Sequence, residues 1–156
     1  MPIYMQFEGV DGDVTAEGHA GWIHLDAVQW GSSRAITTSG SVDKRTKSSV
    51  SMQEVTITKK RDHASGKLWR EHLMGDPKTV ILNWTVNSQG GEALIQAIKL
   101  SNVLVSSFAS SGHENERATE LLALNFTEIE ATFYDMEEKG TKTGKPFVQS
   151  YNLSKG

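Results

Sequence analysis

The chain has 156 residues, no cysteine and a formal net charge of −3. That length suits one domain burying about 68–70% of its unfolded surface, so a core forms without help from a metal or disulfide. The missing thiols exclude a disulfide framework, a thiolate zinc site and a cysteine nucleophile, and the acidic balance weighs against nucleic acid, whose partners carry a dominant basic patch.

The N-terminus, MPIYMQFEGVDGDVT, has neither the basic region nor the apolar region of a secretory signal. No apolar run approaches the length of a membrane-spanning helix. Val, Ile and Thr recur with period two, and strands are expected near 3–9, 19–30, 49–59, 78–87, 92–108, 119–136 and 146–154. NSQGGE at 87–92 reads as a hairpin link; 31–49, 109–119 and 137–146 read as longer polar loops. KKR at 59–61 reads as a solvated strand end. One segment, SGKLWREHLM at 65–74, has helical spacing, with Leu68, Trp69, His72 and Leu73 on one stripe. Ser65 is placed to cap it and Gly75 to end it. The fold class expected is mainly β, an antiparallel barrel or sandwich with one short amphipathic helix, as a single domain over 1–156.

Four strands change their apolar face partway along. Ile23, Leu25 and Ala27 yield to Val28 and Trp30; Val50 and Met52 to Val55 and Ile57; Ile98 and Leu100 to Val103 and Val105; Leu122, Leu124 and Phe126 to Ile129, Ala131 and Phe133. Side chains alternate strictly along a regular strand, so each change needs a bulge, a bend between packed layers, or a second partner outside the monomer. Bending and oligomerisation explain the pattern equally well.

The five histidines, at 19, 24, 63, 72 and 113, lack the spacing of a metal site and read as solvated side chains. His19 and His24 would point to opposite faces of a regular strand; His24 and Asp26 share a face as a hydrogen-bonded polar pair. There is no nucleophile elbow, no HExxH and no phosphate loop, so neither an enzyme nor a cofactor is expected. The sequons at 83–85 and 125–127 fall inside expected strands. Core packing accounts for Trp69 and Trp84, while Trp22 and Trp30 stay open to a binding role.

Several segments in order carry a resemblance: IYMQFEGVDGDVTAEGHAGWIHLDAVQWG (3–31), VSMQEVTITKKRDHASGKLW (50–69), LSNVLVSSFASSG (100–112), ATELLALNFTEIEATFYDME (118–137) and YNL (151–153). Together they resemble the Hcp family, the tube protein of bacterial type VI secretion. Departures are the charged stretch DKRTK within 31–49, Gly66 where proline is frequent, and Tyr151 where tryptophan is frequent. The resemblance implies a barrel similar to phage tail tube proteins, six-membered rings with a wide channel, and rings stacked into a tube. It implies export by the type VI machinery from the cytoplasm without a signal peptide. Its implied partners are further copies of the chain, sheath and spike proteins, and effector proteins in the lumen, with no nucleic acid or membrane. Within that frame Gln29 is expected to face the lumen, with Val28 and Trp30 turned inward to the core. Ring stacking is expected from Thr38, Ser39, Gly40, Ser41, Val42, Asp43 and Lys44, while Trp30, Leu68, Trp69 and Leu73 pack core and helix. The competing reading is a stand-alone β-sandwich that binds a glycan or protein ligand through Trp22 or Trp30.

Overall fold

Alternating Val, Ile, Leu and Thr give the chain its strands, because branched side chains fit a pleated, half-buried surface. The computed structural model describes residues 1–36, 49–136 and 142–155. Eleven strands appear among them: β1 (Ile3–Phe7), β2 (Ile23–Leu25), β3 (Ala27–Gln29), β4 (Ser32–Ser33), β5 (Ser51–Met52), β6 (Val55–Lys60), β7 (Lys78–Ser88), β8 (Gly91–His113), β9 (Glu116–Asn125), β10 (Glu128–Met136) and β11 (Lys142–Asn152). The single described helix, α1, spans Ser65–Met74. All ladders are antiparallel.

The main sheet runs β2-β1-β7-β8-β9-β6-β3, with β10 and then β11 added beside the first half of β8. It folds over on itself into two layers. One layer holds β2, β1, β7, the first part of β8, β10 and β11. The other holds the second part of β8, β9, β6 and β3. The hydrogen-bonded path is open: it starts at β2 and ends at β3, which are joined through Asp26. Met5, Phe7, Ile23, Leu25, Leu82, Ile98 and Leu100 fill the core from one layer, and Val55, Ile57, Val105, Leu122 and Leu124 from the other.

This arrangement explains the changes of face. A side chain pointing inward from one layer and a side chain pointing inward from the opposite layer lie on opposite sides of any chain that crosses between them. β2 pairs with β1, and β3 pairs with β6; Asp26, between them, donates its N–H to the Thr58 carbonyl at 2.8 Å. Ile23 and Leu25 therefore face the core with one parity and Val28 with the other. β8 crosses at Asn102, where φ is 57°, so Ile98 and Leu100 on one side and Val103 and Val105 on the other are all buried. The expected strand 119–136 is two strands, and the chain crosses layers between Asn125 and Glu128. Bends within one subunit thus account for three of the four changes.

Other expectations need correction. The stretch 109–119 is mostly strand, because β8 and β9 extend into a long hairpin with His113 opposite Glu116. The polar stretch at 137–146 gives way to β11 from Lys142 onward. At the root of 31–49, β4 and β5 form a separate two-stranded sheet, with Ser32 opposite Met52. Residues 38–44, the expected stacking loop, lie outside the described residues. The N-cap of α1 is Ala64, not Ser65. Among the described residues no side chain caps the first turn; Asp62 accepts from the N–H of Ala64 itself at 2.9 Å. Ser65 turns inward instead and is 8% exposed.

Candidate assembly interface

α1 lies against β8. The bulge after Val105 leaves that residue's carbonyl to His72, whose Nδ1–H donates to it at 2.8 Å. His72 is therefore tied to the sheet, not solvated. Only a narrow line of the helix, Ser65 and Leu68 with His72 beyond, reaches inward. Trp69 and Leu73 sit about 100° round the helix from that line, and they are 53% and 55% exposed. The expectation that both pack the core fails for that reason; Leu68, at 0%, meets it. Trp30 is also largely outside the core, 37% exposed, with its ring 6.5 Å from that of Phe133.

Below the helix is a buried ionic cluster. Lys59 shares the inward parity of Val55 and Ile57, and Glu120 that of Leu122 and Leu124. The Lys59 ammonium donates to Glu120 Oε1 at 2.8 Å, Asp62 Oδ1 at 2.9 Å and the Lys60 carbonyl at 2.9 Å. Ser65 Oγ completes it, donating to Glu120 Oε1 at 2.8 Å and accepting from the Asp62 N–H at 2.9 Å. Lys59 is fully buried, so the reading of KKR as a solvated end fails at its first residue, while Arg61 is exposed. The signal was present in the sequence: a lysine and a glutamate, each in phase with an apolar row.

A second cluster surrounds Tyr4. Its hydroxyl donates to Glu92 Oε1 at 2.7 Å. The His19 ring stacks on it at 4.5 Å, and His24 approaches edge-on at 6.3 Å. Both histidines reach one tyrosine because 18–21 is a turn and not a strand. His19 also meets the Trp22 ring at 4.8 Å and the Asn83 side-chain amide at 3.1 Å, so it is half-buried and not simply solvated. His24 Nδ1 and Asp26 Oδ1 are 4.0 Å apart, beyond hydrogen-bond reach. Burial first, and then the Glu92 carboxylate as acceptor and as charge, push the Tyr4 phenol up from 10.0 to about 12. The folded chain keeps that proton where the unfolded chain loses it, so stability should fall as pH rises from about 10 through about 12. A phenolate absorbance titration of folded protein should show one of the three tyrosines titrating near pH 12, and Tyr4→Phe should remove that step. Retention of the step in the variant would assign it elsewhere.

The outer surface divides into distinct faces. Register aligns Gln29, Thr56, Ala123 and Ser107 in one row across four strands, and Ala27, Thr58, Leu121 and Ala109 in the next. All eight side chains are exposed or half-buried and none is charged. Gln29 is exposed, and Val28 packs against the core. Among the described residues β11 is an edge strand that pairs with β10 alone, and every side chain from Lys145 to Ser150 is exposed. Such an edge carries a row of free backbone donors and acceptors. Among the described residues no group of three or more His, Cys, Asp or Glu side chains could hold a metal ion, and no helix is long and apolar enough to cross a membrane.

The fold class is mainly β, with a long open edge and exposed apolar side chains that favour association. The family is given by comparison with known sequences. A family model described as type VI secretion system effector, Hcp, matches residues 4–133, and the chain belongs to that family. Protein hcp1 of Pseudomonas aeruginosa is 29% identical over 109 residues, which are 67% of this chain. The match spans 65% of that relative's length. A solved structure of a type six secretion system protein superposes with a TM-score of 0.92 at 23% identity, covering 99% of this chain and 96% of the other. Hcp1 from Salmonella typhimurium gives 0.76 at 17% identity, covering 99% and 95%. At these identities the structural likenesses establish the shared fold.

Proposed function

We propose that the chain is a non-enzymatic tube subunit of a type VI secretion system that assembles into six-membered rings, which stack and are exported through that machinery. The observation that carries this reading is β11, an eleven-residue edge strand in a family member, open along one side and exposed on both faces from Lys145 to Ser150. An edge of this length invites pairing with another chain unless an assembly covers it. In the ring, the uncharged face containing Gln29, Thr56 and Thr58 forms the lumen wall. Its short neutral side chains leave the bore wide and favour neither sign of charge on effector cargo. Residues 38–44 join successive rings, and sheath and spike proteins engage the finished tube.

Light scattering on a size-exclusion column, followed by negative-stain images, tests the reading. The expected species has six times the 17.1 kDa mass of the chain and appears as open rings. The measurement belongs at several concentrations, because assembly follows mass action. A monomer that persists to millimolar concentration would return the chain to the stand-alone binding module.

A further inference from the structure

Among the described residues, two apolar surfaces find no cover within the subunit. The first is the outer face of α1. Trp69 and Leu73 stand one turn apart on it, 53% and 55% exposed, with Met74 beside them at 74%. Arg70 lies on the same face and is exposed. The second is where the core row of β10 runs out. Ile129 and Ala131 are 5% and 7% exposed, but Phe133, next in the same row, is 38% exposed. Phe147 lies directly opposite it on β11 at 64%, and the Trp30 ring is 6.5 Å from Phe133. These are side chains of core parity on a part of the β10–β11 hairpin that the opposite layer does not cover.

We propose that these surfaces are the two halves of one head-to-tail contact between copies: the Trp69–Leu73–Met74 ridge of one subunit seats on the Trp30–Phe133–Phe147 shelf of the next. The inference rests on the self-associating subunit described above, and it names the side chains that join. A ring needs two different, mutually complementary patches on each molecule. The ridge is convex and narrow because it is one side of a helix. The shelf is broad because it is the inner face of a two-stranded overhang. The rims also offer an ion pair. Glu128 and Glu130 face away from the shelf, but exposed Asp135 lies just past Phe133. Arg70 beside Trp69 offers the opposite sign. An apolar centre with a charged rim is the usual anatomy of such contacts. Pairing either patch with itself would instead set Arg70 near Arg70, or Asp135 near Asp135.

The test uses two full-length variants, Trp69→Asp and Phe147→Asp. Both sites are more than half exposed, so each variant should keep the wild-type circular dichroism and melting curve when compared as monomers. Each alone has one spoiled half and should lose the ring species. Mixed in equal amounts, they retain one intact contact: the ridge of the Phe147→Asp copy on the shelf of the Trp69→Asp copy. The mixture should therefore yield a heterodimer, two chains of 17.1 kDa, at least tenfold tighter than either variant with itself. If wild-type rings form and both single variants also form them, the contact is wrong and the ring reading stands. If each variant breaks the ring and the mixture stays monomeric, the patches serve different contacts and the pairing falls. If the wild type itself never assembles, the tube reading falls with it.

Discussion

Replacing Lys59 by methionine should destabilise the fold by about 3–5 kcal/mol, the usual consequence of removing one partner from a buried ion pair. The ammonium is fully buried and touches two carboxylates, whose side chains are 9% exposed at Asp62 and 4% at Glu120. Without it, two negative groups remain close together, out of water and facing each other across Ser65. At roughly 2–4 °C per kcal/mol for a domain of this size, the melting temperature should drop by about 6–20 °C. Protein concentration has to be held fixed, because assembly also raises the melting temperature. The double variant Lys59→Met, Glu120→Met should recover part of the loss, because it removes one stranded carboxylate together with its cation. Wild-type melting of the single variant would mean that α1 is anchored by Leu68 and the helix-edge contact of His72, and that the cluster adds nothing.

Asn102 should respond to two substitutions by different amounts. Its φ of 57° lies in the left-handed region, which a β-branched residue enters only at a cost of about 1–2 kcal/mol. Its amide also donates to Thr127 Oγ1 at 2.8 Å, tying the corner of β8 to the corner between β9 and β10, a bond of about 0.5–1.5 kcal/mol. Asn102→Ile forfeits both and should lower stability by about 2–3 kcal/mol, read from urea unfolding with an unchanged slope. Asn102→Gly keeps access to the left-handed region and loses only the side-chain bond. Equal losses for the two variants would show that the corner bends without demanding that conformation.

The residues show why some features were legible and others were not. The breaks in periodicity at Asp26, Asn102 and between Phe126 and Ile129 are written in the order of apolar residues, and each marks a crossing between layers. They could not say whether a bend or a second subunit was responsible, because both place apolar groups on alternating sides of a strand. The helix is legible from its spacing, but its apolar stripe is wider than the line that is buried. Trp69 and Leu73 are apolar, and apolar character alone does not reveal that α1 rests on the edge of β8, where only Ser65, Leu68 and His72 can reach inward. The burial of Lys59 is hidden for the converse reason: a charge in an inward position is tolerated only when its counter-charge arrives from another strand, and Glu120 is sixty-one residues away.

Length, absence of cysteine, period-two patterning and the ordered run of family segments were enough, by themselves, to determine a mainly β domain of the Hcp family with one short helix. These properties are local or cumulative along the chain, and they survive any uncertainty about which strands meet. The ladder order, the meeting of Lys59 with Glu120, the gathering of His19 and His24 around Tyr4, and the exposed pairing of Phe133 with Phe147 were decided only by the tertiary structure. Each depends on contacts between residues far apart in sequence, whose partners are selected by the packing of the whole core.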